Sequence, residues 1–147
     1  MKTAILVDCL VNRGGVERLV LTQAKHLNAD IFVGIYNSKT TFEEFKQLNI
    51  NVLTKYKKHS RALTLYLWYL FKKLKLKYDF YIFFGTGALN AAKNHHPNLW
   101  YCNSPSRYLY DLYEEELSRT KNLIKLLFVL MTKIMRKIDQ NNVKSID

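Results

Sequence analysis

The sequence predicts an α/β fold, a doubly wound and mostly parallel sheet of Rossmann-like type, and three observations lead there. Short apolar runs of β character alternate with longer amphipathic segments along the chain. The first run passes through the glycine pair Gly14–Gly15 straight into a helical pattern. Two prolines, five glycines and no repeat or Ser/Gly-rich stretch leave no linker, so residues 1–147 read as a single domain around one core.

The first strand is the run Ala4–Val7, too short and too β-branched to favour a helix. Val16, Leu19, Val20, Ala24 and Leu27 then recur at the three-and-four spacing of one helical face. At such a junction the free N–H groups and the positive dipole end can hold a phosphate, and adjacent glycines let it touch the backbone. A glycine pair after a strand also serves many turns that bind nothing.

Asp30–Tyr36 reads as the second strand and Ile50–Leu53 as the third. Between them Thr40 or Thr41 is placed to cap a short helix carrying Phe42, Phe45 and Leu48. The segment from Ser60 to Lys77 has hardly a polar side, yet its apolar run is about half of the roughly 20 residues that a membrane span needs. Two readings stay open for it: a buried crossover helix, or one that also rests on a membrane interface through Trp68, Tyr69 and the flanking lysines.

Asp79–Phe84 gives the fourth strand, followed by Gly85-Thr86-Gly87. That partial glycine motif lacks a third glycine and follows the fourth strand instead of the first, which argues against a dinucleotide cofactor. His95 and His96 precede Pro97, point opposite ways on an extended chain, and read as a surface turn. Asn98–Cys102 is the fifth strand, with a polar loop from Asn103 to Arg107 on the edge where the glycine turns lie if the sheet is parallel. Residues 118–147 read as one long basic amphipathic helix with Leu123, Leu127, Leu130 and Ile134 in one stripe and Phe128, Met131, Met135 and Ile138 in a second.

The net charge of +11 is unevenly placed: there is no acid between Glu44 and Asp79. Lys57, Lys58, Arg61, Lys72 and Lys73, with Trp68, form a candidate membrane- or anion-binding set. Nucleic acid is disfavoured as the partner, because no helix-turn-helix, zinc-finger or RRM signature is present and the aromatic residues of 66–71 fall within an apolar helix. Cys9 and Cys102 are the only thiols, without CxxC or zinc spacing, which points to no disulfide scaffold and no metal site. No secretory leader is visible, so the expected place is the cytoplasm, with a peripheral position on the inner face of the membrane if the basic face meets lipid.

Gly14-Gly15-Val16-Glu17-Arg18-Leu19-Val20, with Lys25-His26-Leu27, resembles the first glycine loop and helix of GT-B glycosyltransferases of the retaining family four. Trp100 to Tyr113 (WYCNSPSRYLYDLY) is similar to the segment after that family's fifth strand, where a Tyr-Cys/Ile-His-Thr-Pro run precedes Arg-Tyr-x-Tyr/Trp-Asp. The two strings stand in the order and at the distance of the N-terminal, acceptor-binding half of a GT-B enzyme, and the resemblance covers essentially the whole chain.

It implies metal-free transfer of a sugar from a nucleotide sugar, the co-substrate of the full-length enzyme, to a saccharide or lipid-linked acceptor. Gly14 and Gly15 would face the donor diphosphate. Ser104, Arg107 and Tyr108 would bind acceptor, and Asn103 and Asp111 would line the catalytic side. Asn103 stands where the family usually has histidine; it can donate a hydrogen bond but carries no proton at neutral pH. The family's C-terminal domain, which holds the nucleotide and the E-x7-E glutamates, is expected to be missing from this chain, leaving the domain alone inactive. The alternative is a basic α/β module that binds nucleic acid or an anionic membrane without catalysis.

Overall fold

A computed structural model describes residues 1–58, 61–103 and 105–147 of the chain. Strands β1 (Thr3–Leu10), β2 (Asp30–Tyr36), β3 (Ile50–Val52), β4 (Phe80–Phe84) and β5 (Asn98–Tyr101) form one sheet in the order β3-β2-β1-β4-β5. Every pairing is parallel. The fold is therefore α/β and Rossmann-like, as the alternation of segments predicts.

Both faces of the sheet are covered, which is why its strands are continuously apolar instead of alternating. Ile5 and Val7 of β1 point to one face, where they meet Ile31, Val33, Ile82 and Phe84 under α1 (Gly15–Leu27), whose Val20, Leu21 and Ala24 are buried. Ala4 and Leu6 point to the other, where Phe71 of α2 (Arg61–Lys73) and Leu89, Ala91 and Ala92 of the 3-10 turn Ala88–Asn94 close over Tyr81 and Phe83. Outside α2 lies a further helix, α4 (Asn122–Val143), attached through Met135, which packs with Trp68 of α2 and Leu109.

Several local expectations give way to tertiary partners. The short helix is a 3-10 turn over Glu43–Gln47, entered from Phe42 without a side-chain cap. Thr40 instead donates its hydroxyl to the Val11 carbonyl, tying the loop after β2 to the loop after β1. The crossover helix stops at Lys73, because the backbone beyond it is held elsewhere: Leu76 N–H donates to His95 Nε2 at 3.1 Å, and the Tyr81 hydroxyl donates to Leu76 O at 3.0 Å.

His95 is not on a surface turn. It is fully buried, with Nδ1 donating to Ala91 O at 2.6 Å while Nε2 accepts from Leu76, a pattern that assigns the Nδ1–H tautomer. His96 does stay exposed, beside the Asp147 carboxylate at 3.0 Å.

The helix expected over 118–147 is α4, which starts at Asn122 and ends at Val143; a separate short helix, α3 (Tyr113–Arg119), precedes it across extended backbone at Thr120 and Lys121. Ser118 and Thr120 donate their hydroxyls back to the carbonyls of Glu115 and Glu116, a local competition that ends the first helix. Among the described residues no helix is long and apolar enough to cross a membrane.

Candidate functional site

The chain lays β1, β2 and β3 outward on one side, then crosses back through α2 to place β4 and β5 on the other side of β1. The order reverses between β1 and β4, and ligands of open α/β sheets collect outside the strand ends at such a point. A cleft of about 300 Å³ lies there, lined by Asp8, Cys9 and Glu17, by Gly85 and Thr86 after β4, and by Trp100, Asn103 and Ser106 from β5 and its loop.

Asp8 holds this rim together. Its carboxylate accepts the backbone N–H of Gly87 at 3.0 Å and of Ala88 at 2.6 Å. The approach depends on glycine: Gly85 has φ +89°, and a Cβ at Gly85 or Gly87 would lie 2.5 or 2.8 Å from the Asp8 carboxylate. Burial pushes the Asp8 carboxyl up to about 6 against the lowering effect of those two bonds, which places a proton-exchanging group near neutrality in the cleft. The neighbouring Cys9 thiol is pushed up to about 12, first by burial and then by the charges of Asp8 and Glu17, so it stays a thiol and is no nucleophile.

Glu17, buried in the first turn of α1, turns its carboxylate back to the helix start and accepts Asn12 N–H at 3.3 Å. Its other oxygen sits 2.8 Å from where a Cβ on Gly14 would be, so Gly14 makes room for the chain's own carboxylate. Gly14 is the cap residue of α1 and Gly15 its first residue, with open space around it. A diphosphate approaching Gly14 and Gly15 would meet the Glu17 charge.

Asn103 is exposed and lines the cleft; Ser106 does too, donating its hydroxyl to Thr86 Oγ1 at 2.6 Å. Ser104 lies outside the described residues. Arg107 and Asp111 are turned toward each other in an exposed pair, Nε to Oδ2 2.9 Å, at i,i+4 spacing. That bond, above all, holds the Asp111 carboxyl below its ordinary value.

Tyr108 lines a different cavity, an apolar one of about 490 Å³ between α2 and α4 with Leu65, Ile124, Leu127, Phe128 and Met131. Burial is the first cause that pushes its phenol up to about 12.

The basic set is divided. Lys57, Lys58, Lys72 and Lys73 are exposed, with Lys73 Nζ 5.8 Å from the Tyr69 ring centre, while the Arg61 side chain lies outside the described residues. Trp68 is the correction: it is 5% exposed and packed on Leu109 and Met135, so it has no surface to offer a membrane.

Asp8, Glu17, Thr86, Trp100 and Ser106 were not distinguishable as a group from sequence spacing. The available signal was an acid ending one strand and a Gly-x-Gly ending another, which only the strand order brings together. Chemically the cleft offers carboxylates, an amide, hydroxyls and an indole, a set that suits a neutral polyhydroxylated ligand: carboxylates accept its O–H groups and an aromatic face covers its C–H groups. Among the described residues no three His, Cys, Asp or Glu groups come together as a metal site. Compared with protein-family models, with curated proteins and with solved structures, the chain matches none.

Proposed function

We propose that this domain is the acceptor-side wall of a sugar-transfer cleft: the part of a GT-B-type retaining glycosyltransferase that presents a saccharide or lipid-linked acceptor to a nucleotide sugar held by a second domain. One observation carries the reading. The two segments that resemble family four, around residues 14–20 and 100–113, both contribute to the cleft at the β1/β4 switch point, through Glu17 and through Trp100, Asn103 and Ser106.

In this reading Asp8 and Glu17 accept acceptor hydroxyls and Asn103 donates to a sugar oxygen, while Arg107, Tyr108 and Asp111 lie outside the cleft lining and would reach only an acceptor that extends beyond it; Asp8, near neutrality, is suited to take a proton from an acceptor hydroxyl. Gly14 and Gly15 approach the donor diphosphate only as far as Glu17 allows. In this reading transfer belongs to an assembled two-domain enzyme whose donor side holds the nucleotide sugar.

A titration of the chain with neutral mono- and disaccharides, followed by backbone amide shifts, tests this. Weak binding with shifts at Asp8, Glu17, Thr86, Asn103 and Ser106 is expected, lost in Asp8→Asn. Nucleotide-sugar turnover by the chain alone is expected to be negligible. Saccharides that shift no cleft amide, or a nucleotide sugar bound more tightly than any saccharide, would overturn the assignment.

A further inference from the structure

The outer face of α4 leaves a stripe of large apolar side chains uncovered. Leu123, Leu127, Leu130 and Ile134 repeat at intervals of four, three and four, so they share one side of the helix, and they are 96, 60, 50 and 54% exposed. Leu126 widens the stripe at 72% exposed. Leu127 belongs at once to the stripe and to the apolar cavity between α2 and α4, so the stripe continues inward. An apolar stripe of this length on a soluble surface marks a contact.

Charge says what kind. From Leu117 to Ile138 the chain has no acid but carries Lys121, Lys125, Lys133 and Lys137, besides Arg119, which pairs with Glu115, and Arg136, which donates to Leu109 O; α2, packed beside it, lies wholly in the acid-free stretch between Glu44 and Asp79. A second copy docked by the same face would bring these cations together, an unfavourable pairing. Nucleic acid would satisfy the cations but leave the leucines uncovered. A bilayer with anionic headgroups satisfies both, taking leucines into the acyl boundary while lysines extend to the phosphates.

We infer that α4, with the exposed face of α2, is an interfacial helix that lies in the headgroup region of an anionic membrane. The contact runs through Leu123, Leu127, Leu130 and Ile134 of α4 and through Tyr66 and Tyr69 of α2, both exposed, and not through the buried Trp68. The helix lies on the surface without crossing it. This inference stands apart from the sugar-transfer reading, which needs only the residues that line the cleft between β1 and β4.

The test is sedimentation of the whole chain with vesicles of phosphatidylcholine alone and of phosphatidylcholine mixed with phosphatidylglycerol. Binding to the anionic vesicles is expected to exceed that to the neutral ones by about tenfold or more, and to weaken at high salt. The variant Leu123→Gln/Leu126→Gln/Leu130→Gln changes only exposed positions outside the cavity between α2 and α4, so its helical signal is expected to persist while vesicle binding falls about tenfold. Three results would overturn the inference: equal binding to both vesicle types, unchanged binding by the variant, or sedimentation without lipid showing self-association that the variant abolishes. Saccharide titration of the same variant reads the cleft separately, and is expected to be unchanged.

Discussion

The Asp8 carboxylate accepts the backbone N–H of Ala88 at 2.6 Å, joining the end of β1 to the turn after β4 across 80 residues of chain. Because the folded value of this carboxyl, about 6, lies above its ordinary 3.8, the folded state holds more protons than the unfolded one between those values. The contribution of Asp8 to stability is therefore fully present below the lower value and is lost as pH rises through the upper one. Relative to Asp8→Asn, the native chain is expected to lose about 2–3 kcal/mol between about pH 4 and pH 7. Urea unfolding of both proteins across that range reads the difference, and a difference that grows in the native chain's favour with rising pH would refute it.

Gly34 of β2 and Gly15 of α1 are expected to respond oppositely to alanine. A Cβ on Gly34 would stand 2.5 Å from the Asp8 backbone oxygen and 2.8 Å from Leu67 Cδ2, one a fixed strand atom and the other a core side chain. Gly34→Ala should cost about 1–3 kcal/mol, since the sheet or α2 must shift to admit it. At Gly15 nothing lies within 4 Å, and alanine favours the helix, so Gly15→Ala should leave stability unchanged or raise it by up to about 1 kcal/mol. Thermal unfolding of the two variants distinguishes them.

Met135 is 7% exposed and joins α4 to Trp68 and Leu109. Met135→Ala opens a cavity in that small contact and is expected to cost about 2–5 kcal/mol. Indole emission from Trp68 should move to longer wavelength as α4 loosens, and a variant with native unfolding midpoint and unshifted emission would show that α4 is held by something else.

Arg107 and Asp111 are each more than half exposed, and such pairs contribute little to stability. Arg107→Ala is expected to leave the unfolding midpoint in place while the Asp111 carboxyl, now held down by Arg107, titrates at a higher pH. With its folded value depressed, Asp111 lends its share of stability above its unfolded value and loses it as pH falls. If Arg107 serves only this pair, saccharide affinity will be unchanged in the variant; the sugar-transfer reading expects it to drop.

Four of the five strands were legible as compact runs rich in β-branched or aromatic residues and followed by Asp, Asn or Gly; β3 is shorter, Ile-Asn-Val, and was legible from its place after Asn49. Side-chain burial was less so. Trp68 and Tyr69 look alike in a helix that is apolar nearly all round; which of them turns inward depends on Met135, 67 positions later in the numbering. His95 was hidden for the same reason, since its partners Ala91 and Leu76 meet it only once the backbone beyond Lys73 runs extended. The break at Thr120–Lys121 carries no Gly or Pro to announce it. In the cleft, Asn103 falls within the string that resembles family four, but Asp8 falls in neither string, and its place there depends on the close approach of Gly85 and Gly87.

Asn98 begins β5, and Asp147 is stitched to it twice: its carboxylate accepts the Asn98 N–H at 2.8 Å and its own N–H donates to Asn98 Oδ1 at 3.4 Å. The last residue therefore sits at the starting ends of the strands, on the rim opposite the cleft. Attaching a dye, a bead or a sensor chip at Asp147 would tether these 147 residues by their back, leaving the mouth between β1 and β4 facing the bulk solution for a sugar-binding assay.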